Sequence, residues 1–173
     1  MGTAVFLAAG AIAFGAGCLA RSRYERDCLV TEEYRIVSEK IHGPEKTIVF
    51  LTDLHNKEFG DQNCRLLDAV RKVKPDAVLS GGDGMVAKKG NSYVEIPRKL
   101  LTELAKEFPV YCGNGNHECR MVWKSDIYGA AYENYQAALE NAGIRYLANG
   151  SADLDGEIRI YGLDLPKSAY LRS

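Results

Sequence analysis

The chain has 173 residues, with 22 basic and 23 acidic side chains and a formal net charge of −1; 46% of it is hydrophobic and 26% charged. That balance leaves no basic footprint for nucleic acid, and the absence of low-complexity tracts or solenoid-period repeats excludes disordered and repeat architectures. Five cysteines, Cys18, Cys28, Cys64, Cys112 and Cys119, are odd in number and form no CxxC pair, which argues for ordinary thiols over a disulfide framework or a zinc knuckle.

Taken in chain order, residues 1–30 read as an N-terminal anchor and juxtamembrane segment. Thr3 to Ala20 is an uncharged run rich in Ala, Gly, Phe, Leu, Val and Ile. A helix needs roughly 20 apolar residues to cross a ~30 Å hydrocarbon core, and the run reaches that length if Met1 and Gly2 are counted. A cleaved signal peptide is the rival reading, but no Lys or Arg precedes the apolar stretch as such peptides require. Arg21, Arg23 and Arg26 follow directly, and the positive-inside rule then puts the C-terminal side in the cytoplasm. The expectation is a single-pass membrane protein whose residues 31–173 form one α/β domain.

In that domain strands alternate with amphipathic helices. Tyr34–Val37 reads as a first strand, and Gly43-Pro44 as a turn. Thr47–Leu51 is a continuous apolar, β-branched run, the pattern of a strand buried on both faces. A helix is predicted from about Gln62 to Val73, with Asp61 as N-cap; Leu66, Leu67, Val70 and Val73 share one face and Pro75 stops it. Ala77–Leu79 is a second buried strand. Ile96, Leu100, Leu101, Leu104 and Phe108 form the stripe of another helix, and Val110–Cys112 is a third strand. A helix over about Tyr128–Asn141 closes at Gly143. Ala152–Leu154, Asp155-Gly156 and Ile158–Tyr161 make a hairpin. Alternation of this kind implies βαβ units and a largely parallel sheet.

Three polar clusters each lie just past the C-terminal end of a predicted strand: Asp53-Leu54-His55, Gly82-Asp83 and Gly115-Asn116-His117-Glu118. Ligands of open α/β sheets bind beyond those ends, so the loops are expected to converge although they are well separated in sequence. Asp53 and His55, two apart on an extended loop, can reach one ion; Asp83 offers a carboxylate able to bridge two, and Asn116 a neutral oxygen. Mixed oxygen and imidazole ligation suits Mn²⁺, Fe or Zn²⁺. Each residue also has a plainer reading. An Asp after a strand is often only a turn or cap residue, His42 beside Gly43-Pro44 reads as a solvated side chain, and Glu118 as a cap for the segment after it.

Taken in order, DxH, GD and GNHE resemble the calcineurin-like metallophosphoesterase superfamily, over roughly Thr31 to Pro166. Leu51–Gly60 (LTDLHNKEFG) is similar to its membrane-anchored bacterial branch. The resemblance implies a four-layer α/β/β/α sandwich, of which this chain holds the N-terminal portion. It also implies two divalent ions (Mn, Fe or Zn) that hold a hydroxide for attack on phosphorus. By position, Asp53 and His55 match ligands of the first ion, Asp83 the bridging carboxylate, Asn116 a second-ion ligand and His117 the catalytic histidine.

The chain departs from that pattern in two ways. The family supplies a further His and a Gly-His-x-His motif after GNHE, whereas His117 is the last histidine here. The chain therefore reads as C-terminally truncated, with weak or single ion occupancy. Some members also carry an Asp three residues after the bridging one, paired with the catalytic His; Val86 stands there, so His117 lacks that orienting partner.

Two functions compete. One is a metal-dependent phosphoric ester hydrolase acting on a phosphorylated small molecule or, given the expected anchor, a lipid-linked phosphate or pyrophosphate. The other is a catalytically inactive, membrane-tethered phosphate- or partner-binding module. An aspartyl-nucleophile phosphatase would want DxD where Asp53-Leu54-His55 stands.

Overall fold

A computed structural model describes residues 2–88 and 91–170, and the chain divides into two compact units, Met1–Glu33 and Tyr34–Ser173. The first unit is helix α1 (Gly2–Asp27), whose end carries an exposed Arg21–Glu25 ion pair of 2.7 Å. Among the described residues no helix is long and apolar enough to cross a membrane. This corrects the expectation of a single-pass anchor and of a cytoplasmic orientation built on it. The part of α1 whose side chains are described, 13–27, carries Arg21, Arg23, Glu25, Arg26 and Asp27, more charge than a hydrocarbon core accepts.

The second unit contains, in chain order, β1 (Ile48–Leu51), α2 (Cys64–Val73), β2 (Ala77–Ser80), β3 (Ala87–Lys88), β4 (Asn91–Ser92), α3 (Glu95–Ala105) and β5 (Val110–Cys112). It continues with α4 (Asn116–Trp123), α5 (Ser125–Tyr128), α6 (Ala131–Asn141), β6 (Arg145–Tyr146), β7 (Ser151–Asp153), β8 (Arg159–Tyr161) and α7 (Lys167–Tyr170). Strands β1, β2, β5 and β6 form a parallel sheet in the order β1-β2-β5-β6, as the alternating pattern predicts. Leu66, Leu67 and Val70 of α2, Leu100, Leu101 and Leu104 of α3, and Leu139 of α6 are buried. The other face carries Ala77, Tyr111 and Leu147, packed with Leu79, Ala152, Leu154 and Ile160, so the antiparallel β7–β8 pair covers part of it.

Several boundaries differ from expectation. Tyr34–Val37 forms no strand, and Ile36 and Val37 are 87% and 85% exposed; β-branched residues suit a pleated surface, but composition alone does not secure pairing. β1 alternates exposed and half-buried positions because it lies at the sheet edge, leaving Phe50 62% exposed. A 3₁₀ turn at Asp61–Asn63 precedes α2, and Asn63, not Asp61, stands at its N-cap, with Oδ1 accepting the Phe59 N–H at 3.0 Å. The helix predicted from about Tyr128 begins at Ala131, after a short α5 that ends before Gly129, φ 57°, while Gly143, at φ 84°, follows α6 in the expected left-handed position.

Candidate metal centre

The loops after β1, β2 and β5 do converge, and the backbone shows how. Past the end of β1 the chain keeps pairing with the loop after β2. The N–H groups of Asp53, His55 and Asn56 donate to the carbonyls of Gly82, Asp83 and Gly84 at 3.2, 3.0 and 2.9 Å. Asp53, His55, Asn56 and Asp83 all sit at positive φ (56°, 49°, 62° and 51°). Asn, Asp and His tolerate that region better than other residues with side chains, yet it still costs free energy, and strained backbone of this kind clusters at functional sites.

The β2 and β5 loops press together so tightly that side chains are excluded. A Cβ on Gly82 would lie 2.0 Å from the Gly115 nitrogen, and one on Gly115 would lie 2.4 Å from the Asp83 nitrogen. Gly115→Ala is therefore expected to push the loops apart, lowering both the melting temperature and divalent-ion affinity. A thermal melt and a Mn²⁺ titration unchanged from wild type would show that the loops can part without consequence.

Glu118 locks this approach. Its carboxylate is buried, 1% exposed, and accepts the N–H groups of Asp83 (2.9 Å), Gly84 (3.2 Å) and Gly115 (3.0 Å). Burial raises this carboxyl above its usual range, against hydrogen bonds that favour the anion. Glu118 thus does more than cap its own helix. Only its spacing from Gly115, the third-residue Glu of a helix start, was a signal in the sequence.

Around this frame stand the predicted site residues. Asp53 and His55 are exposed and Asp83 is half-buried; one ligand atom from each lies within 4.8 Å of the others, as a shared ion requires. His55 Nε2 is 3.5 Å from Asp53 Oδ1, and Thr52 donates to Asp53 Oδ2 at 2.8 Å. Asp83 Oδ1 also accepts the His117 N–H at 2.8 Å, so the carboxylate sits on the first turn of α4, where the helix end favours negative charge. Asn116 is the exposed first residue of α4, one position before that amide.

His117 is half-buried and packs edge-on against His55, with ring centroids 5.1 Å apart. Burial pushes its imidazole below the ordinary value; Asp83 opposes this and the charges of Arg120 and His55 reinforce it. With no Asp at position 86, Nδ1 accepts the backbone N–H of Ala87 at 3.1 Å. Val86 removes a carboxylate, and the next peptide group supplies a hydrogen bond instead.

A polar network that sequence reasoning missed backs the β5 loop. Asn114 Nδ2 donates to Asp164 Oδ2 at 2.8 Å and to Tyr132 Oη at 3.0 Å, and its Oδ1 accepts from Tyr146 Oη at 2.5 Å. Cys119 donates to Asp164 Oδ1 at 3.4 Å. Burial pushes the Cys112 and Cys119 thiols up to about 12, so neither is a thiolate near neutral pH.

The donor chemistry of Asp53, His55 and Asp83 fits a divalent cation. The model of the calcineurin-like phosphoesterase family matches residues 46–166. The chain belongs to that family. Calcineurin-like phosphoesterases use divalent metals to hydrolyse phosphoester bonds, and the matched span contains all three converging loops. No curated protein matches the chain.

Proposed function

We propose that the chain is a metal-dependent phosphoric ester hydrolase whose ion is held by Asp53, His55 and Asp83. The convergence of those three ligand atoms within 4.8 Å of one another supports this reading most directly. A divalent ion bound there supplies Lewis-acid chemistry, neutralising phosphate charge and making a water molecule more acidic.

The remaining work falls to the protein's own groups. Asp83 shares its carboxylate between the ion position and the His117 amide, tying the ligand set to the start of α4. Asn116, at that helix start, would offer a neutral oxygen, and Asp83 its carboxylate, to any second divalent ion. His117 is assigned the acid–base role: its ring edges against His55, and Nδ1 is held by Ala87. Among the described residues only one group of three titratable donors gathers, so one ion held loosely is the expected state. The substrate class proposed is a phosphorylated small molecule or a lipid-linked phosphate or pyrophosphate.

The test is a titration of the metal-free full chain with Mn²⁺, followed by an assay on an aryl phosphate monoester and diester. About one weakly bound ion per chain, with slow turnover only when Mn²⁺ is present, is the expected result. Ion binding with no turnover of either ester would favour the phosphate-binding alternative. A chain that binds no divalent ion would overturn the proposal.

A further inference from the structure

We propose that Arg120 is a positioning residue for hydrolysis, acting on His117 through the main chain of Ala87. The inference rests on reading His117 as the acid–base group, but its geometry is independent of whether an ion is bound.

His117 and Arg120 are three residues apart on α4 and so share a face. Both reach the same residue of β3. Ala87 N–H donates to His117 Nδ1 at 3.1 Å, and Arg120 Nη1 donates to the Ala87 carbonyl at 3.2 Å. Ala87 is itself buried, 1% exposed, and pairs with Ser92 across the β3–β4 ladder. Its peptide groups are therefore gripped from one helix face on both the donor and the acceptor side.

The direction of the first bond fixes the chemistry of the ring. A nitrogen that accepts an N–H carries no proton, so the neutral imidazole must be protonated at Nε2. A carboxylate at position 86 would have accepted a proton from the ring; a peptide N–H can only donate to it. This phosphoesterase accordingly presents neutral His117 as a hydrogen-bond donor through Nε2, the nitrogen not occupied by Ala87. Arg120 holds the Ala87 carbonyl, and with it the orientation of the residue whose N–H selects that tautomer. Val86 at the neighbouring position contributes no polar group to the ring, so the selection falls to the main chain.

The experiment is ¹⁵N NMR of the histidine rings in the full chain at about pH 8.5, above the ordinary histidine value. In the wild type, His117 is expected with Nδ1 unprotonated and Nε2 protonated. Arg120→Met keeps the apolar stem and removes the donor, and should lower the tautomer ratio by up to roughly fivefold, the limit set by losing the whole Ala87–His117 hydrogen bond. Arg120→Lys should restore part of it. Mn²⁺ affinity should stay at the wild-type value in both, while kcat on the aryl ester falls in Arg120→Met with KM unchanged. If Met disturbs the fold, Arg120→Gln serves as the second loss variant. A wild-type ring protonated at Nδ1, or loss variants with the wild-type tautomer ratio, would overturn the proposal. Because the ring signals are read without metal or substrate, failure of the hydrolase reading would leave this test standing and separately legible.

Discussion

Replacing Glu118 with alanine is expected to destabilise the domain by about 3–5 kcal/mol. A buried donor stripped of its acceptor costs about 1–3 kcal/mol; three are stripped together, and two of them are only part-buried, which keeps the loss in the lower part of the sum. The donors are the N–H groups of Asp83, Gly84 and Gly115. A loss of that size is a large part of the 5–15 kcal/mol that typically separates folded from unfolded domains. Glu118→Gln keeps the shape but turns one acceptor oxygen into a donor facing a donor, so it should fall between wild type and alanine. Urea denaturation of the three chains checks the order. An alanine variant within about 1 kcal/mol of wild type would mean that water replaces the carboxylate, since surface-like substitutions stay in that range.

That prediction separates what the sequence reveals from what it hides. Hydrophobic period is local, so the α2 stripe of Leu66, Leu67 and Val70 and the β2 run of Ala77, Val78 and Leu79 were readable, and with them the strand ends that carry Asp53, His55 and Asp83. Pairing is not local. Tyr34–Val37 has the composition of a strand, but no residue within it says whether an edge is free to receive it. Side-chain identity also says nothing about main-chain partners. Val86 read as a missing orienting group for His117, yet the Ala87 amide fills part of the role, and an amide belongs to almost every residue. The network around Asn114 has partners 18, 32 and 50 positions away at Tyr132, Tyr146 and Asp164; only the folded chain brings them together.

Asp83→Asn should separate ligand chemistry from structure at the proposed ion site. The amide oxygen of asparagine can still accept the His117 N–H that Asp83 Oδ1 now accepts at 2.8 Å. The folding free energy should therefore change by no more than about 1 kcal/mol, the net worth of an ordinary hydrogen bond. The charge, however, is gone from the one carboxylate that belongs both to the Asp53–His55–Asp83 group and to the α4 turn. Loss of the charge from a direct ligand should weaken Mn²⁺ binding at least as much as the roughly 10–100-fold typical of outer-shell partners, and metal-dependent turnover should fall with it. Asp83→Ala removes ligand and helix-start acceptor together and should add a stability loss to the same metal defect. His117→Ala provides the converse: metal affinity retained, with turnover slowed by roughly 10²–10⁴-fold if it is the positioned acid–base group. Calorimetric Mn²⁺ titration alongside urea melts distinguishes these variants. An Asp83→Asn chain that binds Mn²⁺ as wild type does would move the ion away from Asp83. A chain that unfolds on that substitution would show that the carboxylate charge, rather than its hydrogen-bonding oxygen, holds the start of α4.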